Sequence, residues 1–168
     1  MKTFKTYLSF LAIFALLFTS CSKDEETTEA PESNKAMLSF GAMVQDLTNK
    51  STAKQSDVND LPTCTDDTAA YVEIVLKQGG TDVVGTQDDP FRINLVDGQL
   101  FTEEVPELEL VPGTYTLDNF AVYNADGDLI WLAPREGGVL AEFVDNALPM
   151  DISLGAGVKK YVDVSVIC

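Results

Sequence analysis

The sequence predicts an all-β protein that folds as a single antiparallel β-sandwich of about seven or eight short strands. From residue 71 onward, apolar and polar residues alternate with a period of two. Gly, Pro, Asn and Asp punctuate these runs at the spacing expected of turns. In this same part of the chain no long stretch carries apolar residues at helical spacing, so we expect strands joined by turns.

The predicted strands are runs in which every second residue is apolar. A Gly79-Gly80 turn follows the first of them. The residues expected to face inward are Val72, Ile74 and Leu76; Phe91, Ile93 and Leu95; Leu108 and Leu110; Leu148, Met150, Ile152 and Leu154; and Val162, Val164 and Val166.

An earlier segment, residues 36 to 47, fits either a strand or an amphipathic helix. We favour a strand because Ser39 and Gly41 are poor helix formers. A long irregular loop is expected over residues 48 to 70.

One strand changes the phase of its alternation. Tyr115 and Leu117 occupy odd positions, whereas Phe120 and Val122 occupy even ones. A strand that keeps one face inward must therefore accommodate an extra residue, which predicts a β-bulge near Asp118-Asn119.

Two turns are expected to close hairpins beside this strand. Pro112-Gly113 supplies a fixed φ and then a residue that tolerates a positive φ. Asp126-Gly127 is a strong hairpin signal in its own right. The sequence thus predicts one tight hairpin before the bulged strand and another after it.

Residues 108 to 130, "LELVPGTYTLDNFAVYNADGDLI", resemble the Pro-Gly-x-Tyr segment of transthyretin-like and carboxypeptidase-regulatory-like β-sandwich modules. The matching residues are Pro112, Gly113 and Tyr115. The resemblance implies a transthyretin-like or Ig-like sandwich and implies little about function.

Charge and composition exclude several classes of function. The chain has 27 acidic and 11 basic residues, a formal net charge of −16, and no histidine. An acidic surface repels phosphate backbones, so nucleic acid is not an expected partner. Without histidine, Ser-His-Asp and Cys-His catalysis and His-ligated zinc are also excluded. No cofactor is expected.

The N-terminal segment predicts export. Lys2 and Lys5 precede an apolar stretch, "YLSFLAIFALLF", at residues 7 to 18. This stretch is shorter than the ~20 residues of a membrane-spanning helix, so residues 1 to 20 fit a signal peptide. Thr19 and Ser20 then precede Cys21, and the segment resembles the lipobox of bacterial lipoproteins. The resemblance implies lipidation of Cys21 and a lipid anchor in the membrane.

The residues after Cys21 are polar and acidic. "CSKDEE", residues 21 to 26, is similar to surface-export tags on lipoproteins of Bacteroidetes-like bacteria; the alternative is a plain acidic linker. Residues 21 to 36 lack an apolar period and are expected to form a disordered tether. The folded domain is then expected over residues 37 to 168, displayed at the surface of the outer membrane.

Two cysteines remain once Cys21 is assigned to lipid. Cys64 and Cys168 are an even pair in a compartment outside the reducing cytoplasm, which favours a disulfide. The alternative is two separate buried thiols.

Weaker candidate sites lie on one predicted hairpin. Trp131 fits a sugar-stacking platform, but its apolar neighbours also fit a core residue. Asn124, Asp126 and Asp128 offer oxygen ligands for calcium, yet the glycine falls at the fourth place of this stretch instead of the sixth, and no glutamate stands where an EF-hand loop would end. A solvated hairpin tip is the favoured interpretation, and no metal is expected.

A carboxylate enzyme is the least favoured function. Glu103, Glu104, Glu107 and Glu109 supply carboxylates for glycosidase chemistry, but alternation places Glu107 and Glu109 outward. We therefore expect a non-catalytic lipoprotein that binds or scaffolds a protein or glycan ligand. The chain is similar in layout to small Bacteroidetes lipoproteins and more loosely to fimbrillins, so the alternative is an accessory or structural subunit of an adhesive fibre.

Overall fold

The computed structural model describes residues 34–45, 64 and 66–168. Nine strands lie in this part of the chain, with two short 3-10 turns at Pro106–Leu108 and Ala141–Phe143. The strands are β1 (Ala36–Val44), β2 (Tyr71–Gln78), β3 (Thr81–Val84), β4 (Phe91–Asn94), β5 (Glu109–Leu110), β6 (Gly113–Tyr123), β7 (Leu129–Leu132), β8 (Met150–Leu154) and β9 (Lys159–Val166). The all-β prediction is confirmed, and residues 36–44 form the strand favoured for them.

Some predictions fall outside these residues. The signal peptide, the lipidation site Cys21 and most of the tether and of the 48 to 70 loop lie outside the described residues. The domain boundary predicted at residue 37 lies one residue into β1, whose first residue, Ala36, is buried. Nowhere in the described ranges is there a helix long and apolar enough to cross a membrane.

The strands form two sheets. One has three strands in the order β5-β1-β9, and the other has six, with β2 and β6 at its centre. β3 and β4 both pair with β2, while β7 and β8 both pair with β6. Every strand pair is antiparallel except β1 and β9, which run parallel. A parallel pair needs a long connection, and here most of the domain separates the two strands.

Short backbone links join the two sheets at two places. The segment that follows β4 returns at residues 100–103, where it bonds to β1 on one side and to residues 94–96 on the other. At the opposite side, Leu132 and Ile167 exchange two backbone hydrogen bonds of 2.8 and 3.0 Å. The corresponding bridges are Gly41 with Phe101, Leu95 with Thr102, and Leu132 with Ile167.

One apolar core receives side chains from both sheets. Phe40 of β1 and Phe120 of β6 are fully buried, and their ring centroids lie 5.9 Å apart. The predicted inward residues are buried in every strand, except that Phe91, Leu110 and Met150 are half-buried against the core. The period-two pattern therefore identified the core face correctly.

The bulge predicted near Asp118-Asn119 is confirmed. Val75 pairs with Asn119, but the next residue, Leu76, pairs with Leu117. Asp118 is thus the extra residue of β6, and Leu117 and Phe120 can both face the core.

The hairpin predicted at Pro112-Gly113 is wrong. β5 pairs with β1, whereas β6 pairs with β2 and β8, so this turn carries the chain from one sheet to the other. Gly113 does not adopt a positive φ. Tyr115 Oη instead donates a 2.8 Å hydrogen bond to the carbonyl of Val111 and fixes the corner.

Candidate functional site

Two exposed aromatic side chains flank a glycine on the outer face of the three-stranded sheet. Gly41 lies in β1, its bridge partner Phe101 lies on one side, and Tyr161 of β9 lies on the other. A side chain at Gly41 would collide with the hydroxyl end of the Tyr161 ring. The ring therefore lies over the glycine backbone, and yet the residue remains 49% exposed; Phe101 is 38% exposed.

These aromatic side chains line a groove of about 460 Å³. We call it the Tyr161 groove; its lining residues are Ser39, Val96, Phe101, Thr102, Glu103, Glu104 and Tyr161. Most of its lining surface is apolar, and this volume falls within the range of small-molecule sites in proteins.

Polar groups stand at the edge of the groove. Lys159 Nζ donates to both carboxylate oxygens of Glu104 at 2.9 Å. Thr102 is buried and its hydroxyl oxygen accepts a 3.0 Å bond from Phe40 N, so it is a structural residue. Burial and then the nearby Asp163 raise the pKa of Tyr161, so its hydroxyl keeps its proton at neutral pH.

The candidate platform Trp131 lies in β7 between residues that are more exposed, Leu129 and Leu132. It is half-buried, pairs with Val122 and packs against the main core. Part of it lines a smaller cavity of about 170 Å³ together with Cys168 and Leu140. This packing fits the alternative interpretation of Trp131 as a core residue, and its role as a ligand platform stays a prediction.

The calcium candidates form a well-bonded turn in the β6–β7 hairpin, whose existence the Asp126-Gly127 signal predicted. Asn124 is buried, and its Oδ1 accepts bonds from the backbone N–H of Asp126 at 3.0 Å and of Asp128 at 2.8 Å. Its Nδ2 donates to Asp128 Oδ2 at 3.1 Å. Gly127 supplies the positive φ, at +92°.

These bonds give Asn124 a structural role in the turn, as an Asx cap. Among the residues that the structure describes, no cluster of three or more His, Cys, Asp or Glu side chains is arranged to hold a metal ion.

A disulfide joins Cys64 to Cys168, the pair predicted from the sequence. Their Cα atoms lie 5.2 Å apart across a sequence separation of 104 residues. The bond therefore ties the segment preceding β2 to the end of β9.

A polar cluster centred on the buried Asp118 lies at the bulge, and sequence reasoning did not anticipate it. Asp118 accepts hydrogen bonds from Lys77 Nζ at 2.8 Å, Gln87 Nε2 at 2.6 Å and Arg135 Nη2 at 2.9 Å. Arg135 Nη1 also donates to the Asp118 carbonyl. The bond from Lys77 is the largest cause of a lowered Asp118 pKa; desolvation opposes it, and Arg135 adds to the lowering. These hydrogen bonds satisfy the carboxylate and the carbonyl of Asp118, the extra residue of β6. We therefore assign the cluster a structural role.

The four candidate glutamates separate into two places. Glu103 and Glu104 line the Tyr161 groove, whereas Glu107 lies in a 3-10 turn and Glu109 in β5. Glu107 and Glu109 are exposed, as alternation predicted.

Sequence reasoning missed the Tyr161 groove. The available signals were the outward positions of Gly41 and Tyr161 in their own strands. Only the pairing of β1 with β9 brings these residues together, and that pairing spans most of the chain.

Comparisons with known proteins give no family for this chain. No family model matches it, and no curated protein matches it. Among solved structures, a leucine-rich repeat protein from Bacteroides thetaiotaomicron is similar over 80% of this chain and 12% of that chain, at 13% sequence identity and a TM-score of 0.42.

Proposed function

We propose that this protein is a cell-envelope lipoprotein, displayed at the outer membrane surface, whose β-domain binds or scaffolds a partner without catalysis. The observation that carries the proposal is the apolar stretch at residues 7 to 18 followed directly by Cys21 and an acidic segment. The Cys64–Cys168 disulfide supports it, because disulfides persist mainly outside the reducing cytoplasm.

The domain proposed is a transthyretin-like or Ig-like β-sandwich. The hydrogen bond from Tyr115 to the Val111 carbonyl supports this assignment, since a tyrosine bonded back to the backbone a few residues upstream is a device of Ig-like sandwiches. The shared core of the two sheets supports it as well.

A non-catalytic role fits the chemistry of the chain. The sequence has no histidine, and the Glu104 carboxylate is paired with Lys159. The carboxylate-enzyme alternative requires hydrolysis of a glycan that disappears when a single acid, such as Glu103, becomes glutamine.

Labelling of expressing cells with a palmitate analogue tests the anchor. The wild type and the Cys64→Ala control should both be labelled, whereas Cys21→Ala should not be. Equal labelling of Cys21→Ala, or no label on the wild type, contradicts the lipid anchor. Protease added to intact cells should then remove the domain if it faces outward.

A second candidate function, a subunit or accessory of an adhesive fibre, is favoured by one observation. Within residues 34–45, 64 and 66–168, the edge of β9 away from β1 has a backbone link only at Ile167. An open edge can accept a strand from another chain. A soluble form that lacks residues 1 to 21 should be monomeric on sizing if the domain is a binding module, and should self-associate if it is a fibre subunit.

A further inference from the structure

We infer that the Tyr161 groove is a carbohydrate site that stacks a neutral pyranose ring on the apolar surface formed by Tyr161 and Phe101. This site would give the binding role proposed above a class of ligand, and it rests on that role. It does not depend on the lipid anchor. Its basis is the geometry of one glycine, two aromatic rings and the polar groups around them.

The aromatic side chains provide a flat apolar surface. Gly41 leaves room for the Tyr161 ring, which packs on the backbone of β1 and keeps about half of its surface exposed. Phe101 extends this surface on the other side of β1. The C–H face of a pyranose is apolar and matches an exposed aromatic face, which gains both burial and ring contact.

The edge of the groove offers both kinds of hydrogen-bonding group. Glu103 and Glu104 supply acceptors, while Ser39 and Lys159, which is paired with Glu104 at the edge of the groove, supply donors. A sugar presents hydroxyl groups that donate and accept around an apolar ring. The combination of a flat apolar floor and mixed polar edges therefore fits a polyol ring.

The same groups disfavour other ligands. An anionic sugar would meet Glu103 and a chain of formal net charge −16. A cation would meet Lys159, which already neutralises Glu104. A purely apolar ligand would remove water from Glu103 without replacing its hydrogen bonds. A neutral sugar avoids all three costs.

Isothermal titration of the purified full chain in detergent tests the inference, with malto-, cello-, manno- and galacto-oligosaccharides as probes. At least one neutral oligosaccharide should bind, and polygalacturonate should not. Tyr161→Ala and Phe101→Ala should each weaken binding by about three- to tenfold, because each removes one stacking surface. Tyr161→Phe keeps the ring and should retain most of the affinity.

Gly41→Ala is the sharpest variant. It keeps both aromatic residues in the sequence but forces the Tyr161 ring off β1, so it should weaken binding as much as Tyr161→Ala does. The matched control is Leu129→Ala, an exposed apolar residue outside the groove, which should bind like the wild type. Thermal midpoints of all variants verify folding.

Two results would overturn the inference: no neutral oligosaccharide binds the folded wild type, or binding persists in the folded Tyr161→Ala, Phe101→Ala double variant. Preferred binding of polygalacturonate would overturn the neutral assignment. Palmitate labelling of Cys21 tests the lipid anchor independently of the titration. A protein that is labelled but binds no sugar would therefore contradict the carbohydrate site and leave the lipoprotein proposal standing.

Discussion

Lys77 Nζ lies 2.8 Å from Asp118 Oδ2, so a lysine of β2 neutralises the residue that the bulge inserts into β6. Arg135 reaches the other carboxylate oxygen at 2.9 Å. An extra residue in a central strand leaves its polar groups without their regular strand partners. Here its side chain becomes the centre of a satisfied polar cluster, which stabilises the distortion.

Acid should weaken this cluster. The Asp118 pKa is lowered in the folded protein, so its contribution is present above the unfolded pKa of about 4 and is lost as the pH falls through the folded pKa. Asp118→Asn should cost about 1 to 3 kcal/mol in the free energy of unfolding at pH 7.

Denaturant titrations at pH 7 and in acid check this prediction. The stability gap between wild type and Asp118→Asn should shrink as the pH falls from about 5 towards 2. The exposed Asp88→Asn serves as a matched control and should change stability little at either pH. If the difference in stability between the wild type and Asp118→Asn did not change with pH, the charge of Asp118 would not be the source of that difference.

Removal of the disulfide should destabilise the domain strongly. Replacing both Cys64 and Cys168 with alanine should lower the free energy of unfolding by about 2 to 5 kcal/mol, since the bond closes a long loop in the unfolded chain. In a Cys21→Ala background, mass spectrometry without reductant should find no free thiol. Two free thiols would contradict the bond.

Asn124 should matter to stability and calcium should not. Asn124→Ala removes the acceptor of two backbone N–H groups and should cost about 1 to 2 kcal/mol in the free energy of unfolding. Asn124→Asp retains an acceptor oxygen and should recover much of this loss. Millimolar calcium should leave the melting temperature of the wild type unchanged; a clear upward shift would restore the calcium hypothesis.

The contact between Phe40 and Phe120 should be among the most costly to remove. Phe40→Ala opens a cavity between the sheets and should lower the free energy of unfolding by about 3 to 5 kcal/mol. Leu129→Ala, at an exposed position, should change it by less than about 0.5 kcal/mol. Equal losses in denaturant titrations would argue against a shared core.

Local patterns predicted much of this fold because they reflect local geometry. Alternation identified the inward face of β9, and a phase change within β6 was enough to place the bulge at Asp118. The Pro112-Gly113 turn failed for the opposite reason. Its residues specify a change of direction, but whether β6 then pairs with β5 or crosses to the other sheet depends on distant partners.

The Tyr161 groove was not predictable for the same reason. Gly41 and Tyr161 belong to strands separated by most of the chain, and each residue alone is unremarkable on an outward strand face. Trp131 drew attention because it is the only tryptophan, although packing on the core explains its position. Composition therefore pointed to the single tryptophan, whereas the groove is formed by common residues that only the strand pairing brings together.

The parallel pairing of β1 with β9 has a mechanical consequence for an anchored protein. The register runs without interruption from Met37–Lys159 to Val44–Val166, and Ser39 of the Tyr161 groove lies in this same β1. If a lipid at Cys21 holds the chain, tension between a bound ligand and the membrane enters at the beginning of β1 and runs along its axis. The hydrogen bonds between β1 and β9 then share the load in shear, so the strand resists being peeled away one bond at a time.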